Sequence, residues 1–130
     1  MKHVAVIALA MLLPAAAHAG DRAEREAAAA PVSEANRFKA ALPPIEYDRP
    51  YKGILLEVRG DKEAMARLCP KTSMPVTLGC AYAHATDCTI VIANDDIIRA
   101  AGWTYDIVYR HERSHCVGWP KDHPRARPVG

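Results

Sequence analysis

Short blocks of apolar residues alternate with polar ones from residue 45 onward, and the first of them predict a strand followed by a helix. Ile54–Val58 is an apolar run between two glycines, which is typical of a strand. Asp61 precedes a run of good helix formers that Pro70 interrupts, so a helix is expected through about Leu68.

The next two apolar runs predict a β-hairpin. Val76–Ala83 and Cys88–Ala93 flank the polar segment His84–Asp87, which contains residues that favour a turn. Because so short a segment joins the two runs, an antiparallel connection is the simplest arrangement. The pattern therefore predicts two neighbouring antiparallel strands.

The remaining apolar residues are spaced as on helices. Asn94 or Asp95 can cap a short helix that Gly102 ends, and Thr104 can cap a longer helix that stops at Gly118. Together with the strands, these helices predict an α+β fold. In it, a short antiparallel sheet packs against the last helix.

The first 19 residues have the pattern of an export signal. Lys2 precedes the apolar run Val4–Leu13, and the small-residue site Ala17–Ala19 follows. The run is too short to cross a hydrocarbon core of about 30 Å, so a membrane anchor is disfavoured. We expect cleavage that leaves Gly20 as the first residue of the exported protein.

Residues 20–44 differ in composition from the rest of the chain. They are rich in alanine and charge, and Pro31 and Pro43 interrupt any long helix. We interpret this segment as a flexible or partly helical tether. Residues 45–130 then form the single folded domain.

Charge excludes one class of partner. The chain has 17 Lys and Arg residues, 15 Asp and Glu residues and a net charge of +2. A nucleic-acid-binding protein has a basic stripe with interleaved aromatic residues, whereas the local excess here is limited to Arg125 and Arg127, which we interpret as a solvated tail. We expect no nucleic-acid partner and, after signal cleavage, no membrane partner; the composition leaves the oligomeric state open.

The four cysteines indicate an oxidising compartment, so we expect a periplasmic or secreted protein with two disulfides. Three pairings are open. A hairpin centred near His84 favours Cys80 with Cys88, which leaves Cys69 for Cys116. A cysteine-based zinc site is disfavoured because the chain has no C-x-x-C pair.

The last predicted helix carries the motif H-E-x-x-H as His111, Glu112 and His115. Residues four apart lie on one face of a helix, so both imidazoles can bind one zinc ion. Glu112 lies beside that face, where it can accept a proton from a water molecule. The motif therefore predicts a zinc site with Glu112 as a general base.

A catalytic zinc site needs a third protein ligand and an open position. Downstream of the helix the candidate donors are Asp122 and His123, and Gly118 can reverse the chain toward the metal. We favour His123 because imidazole is a common ligand of zinc. Asp122 stays an alternative.

These residues resemble the zincin metallopeptidases, which carry the same motif on a helix. The chain differs from the metzincins, because Lys121 stands where their third histidine would fall and no methionine follows the helix. It looks like a minimal exported zincin outside that group. The resemblance implies a zinc-dependent peptidase acting on a peptide or protein, with the strand Cys88–Ala93 above the cleft pairing with an extended substrate.

Three points stay open in this interpretation. Tyr82, Tyr105 or Tyr109 could stabilise the oxyanion, and spacing does not choose among them, while Trp103 and Trp119 are more typical of packing.

Few residues follow the third ligand, so either the N-terminal region supplies one wall of the cleft or the cleft is open. The competing function is a noncatalytic exported binding or assembly module that holds a structural zinc ion.

Overall fold

The computed structural model of the protein describes residues 32–37, 39–72 and 75–130. The predicted signal over residues 1–19 and the first part of the predicted tether lie outside the described residues. Among the helices that are described, none has both the length and the apolar character needed to cross a membrane.

Helices and strands follow one another in mixed order along the described part of the chain. In chain order they are α1 (Glu34–Arg37), β1 (Ala40–Leu42), β2 (Ile54–Gly60), α2 (Lys62–Leu68), β3 (Gly79–Ala83), β4 (Asp87–Ala93), α3 (Asp95–Ala100), α4 (Tyr105–Cys116) and β5 (Arg127–Pro128).

A three-stranded sheet with the order β2-β4-β3 forms the centre of the domain. β3 and β4 are the antiparallel hairpin that the apolar pattern predicts, and β2 lies parallel to β4 on its other side. Ile90 and Ile92 in β4 are fully buried because neighbouring strands and helices cover this strand on every side. The predicted α+β fold is confirmed, with a mixed sheet rather than a purely antiparallel one.

Polar side chains cap α2 and α4 where the sequence places them, whereas Asn94 at the start of α3 makes no side-chain cap hydrogen bond. Asp61 accepts a hydrogen bond from the backbone amide of Ala64 at 2.8 Å, and Thr104 accepts one from that of Ile107 at 3.4 Å. Gly118 has a φ of 108°, which a residue with a side chain rarely adopts. The cap at Thr104 and the turn at Gly118 therefore fix the two ends of α4, the helix that carries the histidines.

The disulfides join Cys69 to Cys80 and Cys88 to Cys116. The favoured pairing of Cys80 with Cys88 is therefore wrong. The hairpin register explains the error, because Cys80 lies opposite Val91 rather than Cys88. The turn is centred later in the chain than His84, so the two cysteines do not face each other across it.

Part of the predicted tether belongs to the packed structure. Asn36 is buried and donates hydrogen bonds to the carbonyl oxygens of Ala101 and Gly102 at 2.9 and 3.1 Å. β1 pairs with β5 in a separate two-stranded antiparallel sheet. Ordered packing thus begins before residue 45, where the sequence predicts the domain boundary.

Candidate metal centre

Three histidines converge at the C-terminal half of α4. The Nε2 atoms of His111 and His123 are 3.0 Å apart, and those of His123 and His115 are 3.3 Å apart. One ligand atom from each of the three residues lies within 4.8 Å of the others, so the group could hold a metal ion. His123 therefore joins His111 and His115 of α4, whereas Asp122 is not a member of the group.

Backbone carbonyls orient the two helical imidazoles. His111 donates from Nδ1 to the carbonyl oxygen of Ala41 at 2.7 Å, and His115 donates from Nδ1 to that of Trp119 at 2.8 Å. A carbonyl oxygen accepts but never donates, so Nδ1 must carry the proton of each neutral ring. The Nε2 atoms of both rings are then unprotonated, and both lie within 3.3 Å of Nε2 of His123. Metal-binding histidines commonly have their other ring nitrogen held by a fixed partner in this way.

The chain returns to the helix through a strained turn. His123 has a φ of 54°, in the left-handed region that residues with side chains seldom occupy. Its amide donates to the carbonyl oxygen of Pro120 at 3.0 Å, which closes the turn. Such strain persists only where the surroundings determine the conformation, and it is frequent at functional sites.

Trp119 holds this return segment against the helix. Its buried ring stacks on His115 with centroids 5.1 Å apart and planes at 12°, and its indole nitrogen donates to the carbonyl oxygen of Pro124 at 3.1 Å. The packing interpretation of Trp119 is confirmed, and Trp103 is likewise buried in the core.

Burial keeps the histidines neutral. It lowers the pKa of His111 to about 4, despite an opposing hydrogen bond to the carbonyl of Ala41. Burial is also the main cause that lowers the pKa of His115 and of His123. Neutral imidazole is the form that binds a metal ion, so all three rings are ready to bind one near pH 7.

Glu112 lies beside the three histidines without joining them. Its residue is only 7% exposed, and burial raises the pKa of its carboxyl group to about 8. Gly79 at the start of β3 lies against it, since a Cβ atom there would be 2.5 Å from Oε1 of Glu112. A buried carboxyl group of raised pKa in a cleft is a candidate proton acceptor.

The histidines and Glu112 face a cleft of about 530 Å³ between β1 and β3. Residues 39–41 line one side of this cleft. Of the two alternatives that the sequence leaves, a wall from the N-terminal region or an open cleft, the structure thus has the wall. Residues 77–82 supply the opposite wall, and Trp103, Ile107 and Val108 form an apolar end.

The strand above this cleft is β3. The resemblance implied that Cys88–Ala93 would pair with a substrate, and this expectation is wrong. Those residues lie in β4, the central strand, whose two edges are occupied by β2 and β3. Within the three-stranded sheet, β3 is the strand beside α4 that has a free edge.

The three candidate tyrosines are placed differently. Tyr105, the first residue of α4, donates to Glu57 at 2.7 Å about two turns before Glu112, and burial followed by this hydrogen bond raises its pKa. Tyr109 stacks on Tyr105 with ring centroids 5.6 Å apart. Tyr82 lines the cleft, but its hydroxyl donates to the carbonyl oxygen of Leu68.

A half-buried carboxylate anchors the opposite face of α4. Asp48 accepts hydrogen bonds from Arg110, from Arg113 at 3.3 Å and from Arg127 at 2.7 Å. The hydrogen bond from Arg110 is the largest cause that lowers the pKa of Asp48. The prediction that Arg127 belongs to a solvated tail is therefore wrong, because it joins β5 to this cluster.

Sequence reasoning missed three residues that shape the site, namely Ala41, Gly79 and Asp48. Ala41 acts through its backbone oxygen, which every residue has, so nothing in its identity could point to the role. A glycine inside an apolar strand indicates a close approach of another group, and Gly79 within the predicted strand Val76–Ala83 could have been identified by this pattern.

Comparisons with protein-family models, with curated proteins and with solved structures find no match to this chain. The functional interpretation therefore depends on the geometry of the site.

Proposed function

We propose that this protein is an exported zinc-dependent peptidase. The observation that carries the proposal is the convergence of three histidine nitrogens beside a buried glutamate, at the floor of a cleft. A metal site with no catalytic role has no need of a carboxyl group kept out of water at this position.

The donor set favours zinc. Three neutral imidazoles with room for a fourth ligand are typical of catalytic zinc sites, whereas Mg²⁺ and Ca²⁺ prefer oxygen donors. The alternative, a structural zinc site, needs four protein ligands. Among the described residues, the candidate ligand group at this position contains three histidines, which is one ligand fewer than a structural site needs.

The residues of the chain divide the chemistry between them. Bound zinc would polarise the scissile carbonyl group and lower the pKa of a water molecule. Glu112 accepts the proton of that water and later returns it to the leaving amine. The carbonyl oxygens of Ala41 and Trp119 keep the two helical imidazoles in one tautomer throughout.

The free edge of β3 supplies a route to peptide binding. An extended substrate can add to this edge through backbone hydrogen bonds, and this positions its carbonyl groups along the cleft. The two disulfides agree with an oxidising compartment. Together with the predicted export signal, they support a periplasmic or secreted location.

Metal removal and replacement test the proposal. We expect one zinc ion per chain by elemental analysis, loss of peptide cleavage after treatment with a chelator, and recovery on adding one equivalent of zinc. A mixture of unstructured peptides, analysed by mass spectrometry, reports cleavage without assuming a specificity. Zinc binding with no cleavage, together with four protein ligands by X-ray absorption, would support the structural-zinc alternative instead.

Replacing Gly79 with Ala is expected to lower cleavage about 100-fold while zinc content stays at one per chain. The added Cβ would meet Oε1, Cγ and Cδ of Glu112 at 2.5 to 2.8 Å, so the carboxylate must move. Displacement of a catalytic group by about 1 Å can cost about this much.

The matched control is Ala83→Gly, a change of one methyl group on the same strand at a residue that does not line the cleft. Both variants are compared by kcat/KM and by bound zinc. Equal losses in the two variants, or loss of zinc in Gly79→Ala, would show that Gly79 does not act by positioning Glu112.

A further inference from the structure

The edge of the sheet remote from the cleft carries an exposed apolar row. Ile54, Leu56 and Val58 are 64, 50 and 38% exposed, and they alternate along β2 on one face of the sheet. An exposed apolar row on an edge strand is typical of an interaction surface.

The backbone of β2 is also available for pairing at this edge. The amide of Ile54 donates to the carbonyl oxygen of Thr86, and the carbonyl oxygen of Gly60 accepts from Asn94, so the even-numbered residues bond toward β4. The backbone groups of residues 55, 57 and 59 consequently point outward. In the part of the chain that the structure describes, no strand pairs with them.

Opposite charges lie two residues apart on the other face of the strand. Glu57 and Arg59 have side chains that are 30 and 35% exposed. Within the chain Glu57 accepts from Tyr105 and Arg59 pairs with Asp95, and the exposed part of each charged group can still meet a partner chain. Because alternate residues share a face, both project on the side opposite to Leu56 and Val58. β2 therefore has an acidic and a basic residue on one face and a row of apolar residues on the other.

We propose that a second copy of this chain pairs with β2 in the antiparallel direction, about a two-fold axis at Val58. In this register Glu57 faces the partner's Arg59, and by symmetry Arg59 faces the partner's Glu57. Val58 faces its own copy, and Leu56 lies diagonally across from the partner's Val58. Opposite charges and apolar side chains that face each other across strands both stabilise a sheet.

The neighbouring registers lack this charge complementarity. An axis at Glu57 sets two carboxylates directly opposite each other, which is unfavourable. An axis at Leu56 sets Arg59 opposite a glycine and leaves its charge without an acidic partner across the strands. A self-complementary pattern is what a two-fold interface between identical chains requires.

The pairing makes one six-stranded sheet from two chains. β3 stays at each outer edge, so both clefts remain open and face away from the shared axis. The dimer is thus independent of the peptidase activity proposed for the site.

Sedimentation velocity and cysteine cross-linking test the proposal on the purified protein. We expect a monomer–dimer equilibrium between about 10 µM and about 1 mM, the range suited to a small interface. Leu56→Lys should weaken dimerisation at least tenfold, with circular dichroism confirming that the variant is folded. Mild oxidation of Val58→Cys should give a disulfide-linked dimer, because only a residue at the axis meets its own copy.

The matched control is Leu56→Cys, which should cross-link poorly in this register. A protein that stays monomeric at about 1 mM would overturn the proposal. Efficient cross-linking of Leu56→Cys with none of Val58→Cys would overturn it as well, because the axis would then lie elsewhere.

Discussion

Glu112→Gln is expected to lower kcat/KM for peptide cleavage by about 10²- to 10⁴-fold while one zinc ion stays bound per chain. Glutamine has nearly the same shape as glutamate, so the packing against Gly79 is retained. Its amide cannot accept a proton from water, and the reaction loses its base. Steady-state kinetics on a cleaved peptide, with elemental analysis of zinc, measures both quantities on one sample.

The control for this experiment is Glu63→Gln. Glu63 lies on α2 with its side chain largely exposed and paired with Arg67, so its replacement removes the same charge far from the cleft. Activity should be unchanged in the control. Full activity in Glu112→Gln would exclude this residue as the base, whatever metal the histidines bind.

The burial of the Glu112 carboxyl group carries a cost that the proposed function would explain. Burial without a compensating charge raises its pKa to about 8, so the metal-free chain holds this group largely protonated at pH 7. A cation at the three histidines would favour the ionised form of Glu112, which is the form that the proposed reaction needs as a base. Residues that violate folding rules in this way are concentrated at functional sites.

The sequence predicts the helical part of the site because the relevant interactions are local. A cap at Thr104, a left-handed residue at Gly118 and two histidines one turn apart depend only on near neighbours in the chain. The sequence also predicts His123 as a ligand, because the chain reverses after Gly118 and few residues separate His123 from the helix.

The parts that the sequence did not predict depend on contacts between distant segments. The disulfide pairing follows from the hairpin register, and a small shift of the turn changes which cysteines meet. The parallel partner of β4 and the wall at residues 39–41 arise from long-range packing. A cluster such as that of Asp48 joins three segments, and no spacing rule connects them.

Asp48→Asn is expected to lower the free energy of unfolding at pH 7 by about 3 kcal/mol. The Asp48 side chain is only 11% exposed, and three arginines direct their guanidinium groups at it. Removing its charge leaves these cations crowded together without their shared acid. Since Arg110 and Arg113 lie on α4 and Arg127 on β5, the loss should loosen the helix and the C-terminal strand together. Urea unfolding followed by circular dichroism measures the difference.

The pH dependence of this difference separates the charge from the shape of the side chain. The arginines lower the pKa of Asp48 below its unfolded value of 3.8, so its stabilising effect is present above that value. It is lost as the pH falls through the folded pKa, and the gap between Asp48→Asn and the parent protein should narrow below about pH 4. Asp106→Asn is the control, because Asp106 pairs with the same Arg110 but has a side chain 68% exposed, and we expect it to cost less than about 1 kcal/mol. A gap of equal size at pH 3 and pH 7, or an equal cost in the control, would mean that Asp48 stabilises the fold by packing rather than by charge.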